Sequence, residues 1–366
     1  MRITGFLLLI LFPILLFSQG NDPYVISQQG WVKMGVVYQG WYDKYNYKLN
    51  ETSVPYQVYF PFNRSVALSL RGSHASVQGT GLATLRGLSD TQLILTTHME
   101  SAHLVFNLGV NIPNGKTELS AEEFDTSTLI SLNILNFYTP NLGQGLNIAP
   151  SLTWAMPISD NFVLGLGASY QIKGKYKPIE WMEEDYHPGN ELSVTAGFDL
   201  RLAETRTFSG DVLWTKYGED RIGSETVFRS GDRLVATVQY RQYFGYNQLW
   251  ILGRYRTRAK NSLAVAGKLV PEEYKTIPDQ IELFTRYRMR LGRNLNLEIV
   301  GEYFKINKTM VFVNANVYGL GLAPEVRLSK RVALPIDFLY RIEKDEDEGS
   351  EPFFCLEVQA GLQIYF

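Results

Sequence analysis

Apolar and polar residues alternate in the last segment of the chain, Phe353 to Phe366. Apolar residues occupy one face of the expected strand: Phe354, Leu356, Val358, Ala360, Leu362, Ile364 and Phe366. Polar or small residues occupy the other: Glu357, Gln359, Gly361 and Gln363. A period of two predicts a β-strand with one face in an apolar environment. Alternation alone fits both a soluble sandwich and a strand that faces lipid.

The same pattern recurs in other segments of about ten to fourteen residues, the length that a tilted strand needs to cross a bilayer. Residues 191–202 and 102–112 show it clearly. Strands of soluble proteins average only about five or six residues. Beyond residue 20 the chain has no charge-free apolar run of membrane-spanning length. We therefore expect strands, and not helices, to cross the membrane.

Short and long connections alternate between these segments. Short turns are expected near residues 61–63, 99–101, 159–161, 204–206, 244–247, 292–294 and 329–331. Longer links are expected near residues 43–52, 79–87, 114–144, 177–190, 222–232, 261–278, 309–315 and 345–352. Outer-membrane barrels have short periplasmic turns and long external loops. The pattern predicts an all-β, antiparallel, up-and-down transmembrane barrel of about 16 strands. Fourteen is the alternative if segments 53–62 and 316–329 are miscounted.

Aromatic residues lie near the ends of the expected strands, where interfacial girdles form in membrane barrels. They are Trp31, Trp41, Tyr42, Phe60, Phe62, Trp154, Tyr170, Trp214, Tyr255, Tyr287 and Tyr340. The last strand also ends on an aromatic residue, Phe366. An apolar strand that closes on an aromatic is typical of the signal by which the barrel-assembly machinery recognises outer-membrane proteins, and we assign that role to Phe366.

The N-terminus has the pattern of a secretory signal peptide. Arg2 provides a positive charge, an apolar run extends from Phe6 to Phe17, and small or polar residues follow at Ser18 and Gln19. An anchoring helix is the alternative, but the run is shorter than the roughly 20 residues that span a bilayer. We expect a signal peptide at residues 1–19, and residues 20–366 as one barrel domain in the outer membrane. The end of this segment resembles Bacteroidetes signal peptides.

Composition excludes several classes of function. The 35 basic and 37 acidic residues leave a net charge of −2, so no overall field attracts nucleic acid. Cys355 is the only cysteine, which rules out an internal disulfide. His98, His103 and His187 are scattered without metal-ligand spacing, and no phosphate-binding or dinucleotide motif is present. We therefore expect no metal and no cofactor.

The faces opposite the apolar ones are expected to line the lumen, and they carry many charges. Arginines of three neighbouring strands form a basic wall: Arg233, Arg241, Arg254, Arg256, Arg258, Arg286, Arg288 and Arg290. Charged residues on the same or nearby strands are candidate partners: Glu282, Glu298, Glu302, Asp337, Arg341 and Glu357. So many guanidinium groups inside a barrel require water or carboxylates. Two interpretations remain: a polar passage whose charges select a solute, or a salt-bridge network that fills the lumen.

The longest link, residues 114–144, has an acidic first half and an apolar second half. Links of this length are usually functional or disordered, and the apolar half argues against disorder. It either folds inward as a constriction or caps the barrel from outside. Acidic clusters at Glu183-Glu184-Asp185 and residues 345–348 are candidates for Ca²⁺ binding, although solvated acidic loops are the commoner case.

Three short phrases stand in order between Gly87 and Ala155: Gly87-Leu88-Ser89-Asp90, Asn111-Ile112-Pro113-Asn114-Gly115-Lys116 and Leu142-Gly143-Gln144-Gly145. They resemble the family of outer-membrane transporters associated with the meta-pathway of phenol degradation, which is itself similar to FadL-type channels. The resemblance covers about a fifth of the chain and implies diffusive uptake of small or hydrophobic organic compounds. FadL-type channels carry an N-terminal plug of some forty residues, whereas only about ten residues precede the first strand here.

Two other classes of function compete with transport. His74 and Ser76 have a spacing that resembles outer-membrane phospholipase A, but Val77-Gln78-Gly79 replaces the Asn-Gly-Arg that should follow the serine. No third residue can be assigned to a triad, so we expect no enzyme. A structural or secretion-accessory barrel with a filled lumen is the main alternative. The sequence favours passive passage of small solutes, with outer-membrane lipid, lipopolysaccharide, the assembly machinery and the solute as partners, and no nucleic acid.

Overall fold

Sixteen long strands form one closed antiparallel barrel in the computed structural model, which describes residues 27–131, 135–309, 312, 314–345 and 351–366. The barrel strands are β1 (Trp31–Tyr42), β2 (Lys48–Pro61), β3 (Val66–Gly79), β5 (Thr91–Met99), β6 (Leu104–Ile112), β7 (Asn147–Ser159), β8 (Phe162–Lys173), β10 (Glu191–Ala203), β11 (Arg206–Tyr217), β14 (Arg233–Phe244), β15 (Asn247–Arg258), β18 (Gln280–Arg290), β19 (Leu295–Ile306), β20 (Ala315–Arg327), β21 (Val332–Asp345) and β22 (Phe353–Tyr365). The expected signal peptide lies outside the described residues.

The barrel closes where the last strand, β22, pairs with the first, β1. Their register extends from Trp31 opposite Tyr365 to Tyr42 opposite Phe354. Beyond it, Gly30 and Phe366 exchange two backbone hydrogen bonds of 3.1 and 2.9 Å. Closure pairs both edges of the sheet. A lipid environment requires this pairing, because it contains no water to bind free backbone groups. The predicted 16-strand barrel is confirmed, and the 14-strand alternative is wrong because segments 53–62 and 316–329 largely coincide with β2 and β20.

Turns and links alternate as the sequence predicts, with the seven predicted short turns at the end of the barrel that carries both described termini. The first long link, expected at 43–52, is shorter than predicted, because β2 already begins at Lys48. The long links on the other side carry additional structure. Strand β4 (Leu85–Leu88) pairs with β3, and a separate five-stranded sheet contains β9 (Tyr186–His187), β12 (Glu219–Ile222), β13 (Glu225–Arg229), β16 (Ser262–Val265) and β17 (Lys268–Pro271). The link between β6 and β7 contains the helix Ala121–Ser131. No helix in the described ranges has the length and apolar character needed to span a membrane.

The two faces of the barrel wall differ in chemistry. Alternate residues expose large apolar side chains around the outside, such as Met34, Val194, Leu320 and Leu362, and Leu320 is 68% exposed. The residues between them point inward and are mostly polar, small or buried. A continuous exposed belt of this size is unfavourable in water and matches the hydrocarbon layer. The outer face is therefore the lipid-facing surface of a membrane-spanning barrel.

Aromatic side chains cluster at the rims of this belt. Phe60 lies 5.0 Å from Phe62 and 6.0 Å from Phe366 between ring centroids, at the short-turn end. Two of the tryptophans assigned to a girdle were assigned wrongly: Trp31 and Trp41 are only 7% and 2% exposed and lie on the inner face. Both occupy odd positions of β1, whose even positions face outward. A position near a strand end does not show which face of the barrel wall a side chain occupies. The odd or even position within the strand does.

Candidate functional site

The inner faces of β14, β15 and β18 carry the predicted basic residues. The register places side by side eight arginines, here called the arginine wall: Arg233, Arg241, Arg254, Arg256, Arg258, Arg286, Arg288 and Arg290. Glu282 is the only carboxylate on the inner faces of these three strands, which are described along their whole length. The outer faces of the same strands carry no charge. This sector of the lumen therefore has an excess of positive charge.

On the loop side of the wall the charges are paired and buried. The Glu282 side chain is 3% exposed and lies 3.0 Å from Arg254 and 2.8 Å from Arg256. Arg258 lies 5.0 Å above the Tyr217 ring. A buried guanidinium is tolerated only with such partners, because removing it from water is costly. These contacts match the salt-bridge interpretation of the wall.

On the turn side the pairing is looser. Arg286 and Arg288 lie 3.5 and 3.6 Å from Glu298, and Arg288 lies 3.2 Å from Glu325. The Arg286 side chain is 50% exposed, unlike its buried neighbours nearer the loops. Glu325 was missed by the sequence analysis, although alternation in β20 places it on the inner face. These charges face the accessible part of the lumen.

A second group of predicted charges lies together on β19, β21 and β22. Arg341 is 2.9 Å from Glu302 and 2.6 Å from Glu357, and its side chain is almost fully buried. Asp337 lies on the same inner face, three strands from Arg286, and its charge interacts with that of Arg286. The acidic candidates thus lie on the sector next to the arginine wall, and the ion pairs connect the two sectors.

The described parts of the link between β6 and β7, residues 113–131 and 135–146, fold into the lumen, and we call this link the inward segment. The carbonyl oxygen of Leu135 accepts hydrogen bonds from Gln39 Nε2 at 2.8 Å and from Trp41 Nε1 at 3.1 Å. Both donors are on the inner face of β1 and are almost completely buried. The segment is therefore attached to the barrel wall from inside, and the external cap is not what the structure shows.

Thr139 provides a second attachment. Its backbone N–H donates to Glu51 Oε1 at 2.8 Å, and its hydroxyl lies 2.9 Å from that of Ser53 and 3.1 Å from that of Ser73. These partners of Thr139 are on the inner faces of β2 and β3. We call the set the anchor wall: Gln39, Trp41, Glu51, Ser53 and Ser73. It holds the backbone and one hydroxyl of the inward segment.

Apolar packing fills the space around these hydrogen bonds. Four residues of the inward segment belong to one buried cluster: Leu119, Ile130, Phe137 and Leu142. The barrel contributes inner-face residues and part of the first long links: Trp41, Leu49, Ala75, Val77, Leu85, Phe304, Val317 and Cys355. Burial of side chains on both sides fixes the segment in place. The loop-side part of the lumen next to these strands is consequently occupied by protein.

Asp90 holds both ends of the inward segment. Its carboxylate accepts hydrogen bonds from the backbone N–H groups of Gly115 at 2.9 Å and Gln144 at 2.6 Å. Burial raises the pKa of Asp90 above its ordinary value, while these donors oppose the shift. A Cβ on Gly87 would lie 2.7 Å from that of Lys116, so this approach needs glycine. The three phrases that carry the family resemblance therefore meet at one point.

The inward segment lies between the two walls. In a ring of 16 strands, β15 is eight strands from β3, so the anchor wall and the arginine wall are on opposite sides. Phe137 and Thr139 are buried against the anchor wall, whereas Tyr138 between them is 47% exposed. Burial within the barrel raises the pKa of Tyr138, and the charge of Arg71 opposes that shift. Tyr138 is thus on the open side of the segment.

Other predicted sites are placed elsewhere. His74 and Ser76 are on the outward face of β3, and the His74 ring contacts Arg86 at 3.5 Å. Among the residues that the structure describes, no cluster of three His, Cys, Asp or Glu side chains is arranged to hold a metal ion. Residues 346–350, which include most of one acidic run, lie outside the described residues.

Comparisons with known proteins return outer-membrane barrels. No family model and no curated protein matches the chain. Among solved structures, a bacterial polysaccharide outer membrane secretin matches with 10% identity and a TM-score of 0.49, over 93% of this chain and 99% of that one. An anion-selective porin from Comamonas acidovorans matches with 13% identity and a TM-score of 0.43, over 92% and 98%. The CymD monoaromatic hydrocarbon channel matches with 11% identity and a TM-score of 0.43, over 93% and 89%. Likeness at this level identifies neither a solute nor a mechanism.

Proposed function

We propose that this chain is an outer-membrane channel for passive passage of small solutes, with the inward segment as its constriction. The observation that carries the proposal is the position of that segment: it is anchored to one wall and leaves the opposite arginine wall accessible from the turn side. Side chains such as Tyr138 and Arg286 keep about half of their surface exposed there. In this account Phe366 acts as the assembly signal, and the lipid-facing belt contacts lipopolysaccharide and phospholipid.

The charged lumen favours polar or charged solutes. Water-filled pores select solutes by the charges that line them, and three strands here carry eight arginines and one carboxylate. Because the ion pairs leave the excess in place, we propose that the passage prefers anions. Passage involves no chemical reaction. The protein positions charges along the lumen and limits the width of the passage.

Hydrophobic organic compounds, which the family resemblance implies, are a second candidate class of solute. One observation favours them: the inward segment and the barrel wall form an apolar, aromatic-rich cluster that includes Trp41, Phe137 and Phe304. A hydrophobic path would need the segment to move, because the cluster is packed as the structure stands.

A filled, non-conducting barrel is the rival to any channel. It is favoured by the loop-side half of the lumen, where Leu49, Glu51 and Val77 are 1% exposed or less. If the inward segment never moves and no gap remains beside it, the barrel serves as a scaffold or secretion accessory. The two functions differ in one measurable property, which is ion conductance.

The test is a planar-bilayer recording of the refolded protein and of a variant with Arg254, Arg256, Arg286 and Arg288 changed to Gln. We expect stable conductance steps with anion preference, and a shift toward cations in the variant. A variant with Arg64 and Arg293 changed to Gln, both in short turns, is the control and should keep the wild-type preference. A silent bilayer from a barrel that is folded and heat-modifiable on a gel would exclude the channel and leave the filled barrel.

A further inference from the structure

One cross-strand row of the arginine wall combines an indole with two guanidinium groups. Trp250 in β15 is the register partner of Arg241 in β14 and of Arg286 in β18. Side chains directly opposite on antiparallel strands have Cβ atoms about 5 Å apart. The three residues therefore form a continuous row on the inner face, which we call the Arg-Trp-Arg row.

Neither arginine of this row has an ion pair closer than 3.5 Å with a described residue. Arg286 pairs with Glu298 at 3.5 Å and interacts with Asp337, and its side chain stays half exposed. Arg241 has no ion pair with any described residue, and its buried Nε makes no hydrogen bond. A buried donor without a partner calls for an explanation. An anionic ligand in the lumen would provide both the charge and the acceptor.

The indole is oriented for contact through its faces. Trp250 Nε1 donates a hydrogen bond to Gln239 Oε1 at 3.3 Å, so the polar edge of the ring is already satisfied. Its apolar neighbours nearer the loops are covered, since Leu252 is fully buried and Phe284 packs into the apolar cluster. Trp250 is thus a partly exposed aromatic surface between two positive charges.

We propose that the Arg-Trp-Arg row is a binding site for planar aromatic anions, such as aromatic carboxylates. The ligand ring stacks on Trp250, and its carboxylate forms charge-assisted hydrogen bonds with the arginine on either side. A guanidinium group is planar and matches a carboxylate with two parallel hydrogen bonds, which lysine does not provide. The inference deepens the proposed channel function by naming a solute class, yet the site can be occupied whether or not the barrel conducts.

The test is an equilibrium titration of the detergent-folded protein with 2-naphthoate, a fluorescent aromatic carboxylate. We expect saturable binding that weakens by about tenfold or more when Arg241 and Arg286 are both changed to Gln. The loss of a hydrogen bond to a charged group reduces affinity by about that factor. Trp250→Leu should weaken binding by a similar factor. Arg293→Gln removes the same charge from the short turn that follows β18, outside the arginine wall, and it should change the affinity by less than about twofold.

Two further probes separate the ring from the charge. Cyclohexanecarboxylate keeps the carboxylate without a planar ring, and 2-naphthol keeps the ring without the charge at neutral pH. We expect both to bind at least about tenfold more weakly than 2-naphthoate. Equal binding of cyclohexanecarboxylate would overturn the proposal, because the indole face would contribute nothing. Unchanged affinity in the double Gln variant or in Trp250→Leu would overturn it as well.

Folding of each variant is checked first by its heat-modifiable mobility. If the double Gln variant does not fold, the double Lys variant keeps both charges and removes the planar groups, and its expected loss is about threefold or more; no loss would count against the proposal. The titration needs no bilayer, so its outcome is independent of the channel. Binding with a silent bilayer refutes the channel alone, whereas conductance without binding refutes the site alone.

Discussion

The anchor wall and the arginine wall lie on opposite sides of one barrel and obey the same alternation of inner and outer residues. One binds a segment of the protein itself, whereas the other leaves charged groups accessible in the lumen. The anchor wall uses an amide, an indole, a carboxylate and two hydroxyls, all buried, to bind the backbone of the inward segment and the hydroxyl of Thr139. The arginine wall carries eight guanidinium groups, of which those on the turn side remain accessible. Neutral and singly charged groups fix protein in place, whereas an excess of one charge leaves a surface suited to a solute.

Removal of the segment that the anchor wall binds should have the largest effect on the channel. Lys116 and Gly143 are in contact, since a Cβ on Gly143 would lie 2.8 Å from the Lys116 carbonyl. Residues 117–142 can therefore be replaced by a short glycine linker while Asp90 still holds both ends. We expect a several-fold rise in single-channel conductance with the barrel still folded. Deletion of the outer hairpin Ser262–Pro271 is the matched control, and equal conductance in all three proteins would contradict the assigned constriction.

Asp90 should be the most sensitive single position. Asp90→Ala leaves the N–H groups of Gly115 and Gln144 without their acceptor, and each such bond contributes about 1.5–3 kcal/mol. Hydrogen exchange at these two amides should accelerate strongly, while exchange in the barrel strands stays slow. Asp90→Asn keeps one carbonyl oxygen and should show a smaller effect. Protection that is unchanged in Asp90→Ala would show that the segment is held by packing alone.

Glu51 tests the anchor wall nearer its centre. Glu51→Leu removes the acceptor of the Thr139 N–H, which costs about 1–3 kcal/mol when the donor stays buried. We expect faster exchange at Thr139 and noisier open-channel current, with the strands unaffected. Glu51→Gln retains an oxygen that can replace Oε1 and serves as the control. If both variants behave like the unchanged protein, Glu51 does not attach the segment.

The smallest effect is expected at Trp41. Trp41→Phe keeps most of the apolar packing and removes one hydrogen bond to Leu135, while Gln39 still donates to the same oxygen. The cost should be about 0.5–1.5 kcal/mol, seen as a modest acceleration of exchange in the inward segment near Leu135. If Trp41→Phe lost as much protection from exchange as Asp90→Ala, the Trp41 indole, and not the Asp90 carboxylate, would be the main attachment of the inward segment.

Alternation and turn spacing were enough to predict the barrel, because both are local properties of the chain. Phe366 and the exposed apolar positions of β22 follow directly from a period of two. The same rule places Trp41 inside, and the girdle assignment failed there only because distance from the strand end was used in place of parity. Glu325 was also readable from its strand, since it shares a face with Ala323.

The attachment of the inward segment was not predictable in this way. Gln39 and Ser53 are ordinary inner-face residues in sequence, and nothing local indicates that their partners are Leu135 and Thr139, more than 80 residues away. Asp90 did carry a signal, because it ends one of the three phrases of the family resemblance. Such long-range hydrogen bonds depend on barrel closure, which brings distant strands to one wall.

A thiol on the open side of the inward segment tests directly whether this segment forms the constriction of the channel. Tyr138→Cys puts it there, whereas the native Cys355 is fully buried and provides the control in the unchanged protein. A charged methanethiosulfonate reagent is added to a conducting bilayer containing the variant. We expect a stepwise fall in current that a reducing agent reverses, with no fall in the unchanged protein. A current that stays constant, although mass spectrometry shows that the reagent has modified the introduced thiol, would contradict a constriction formed by this segment.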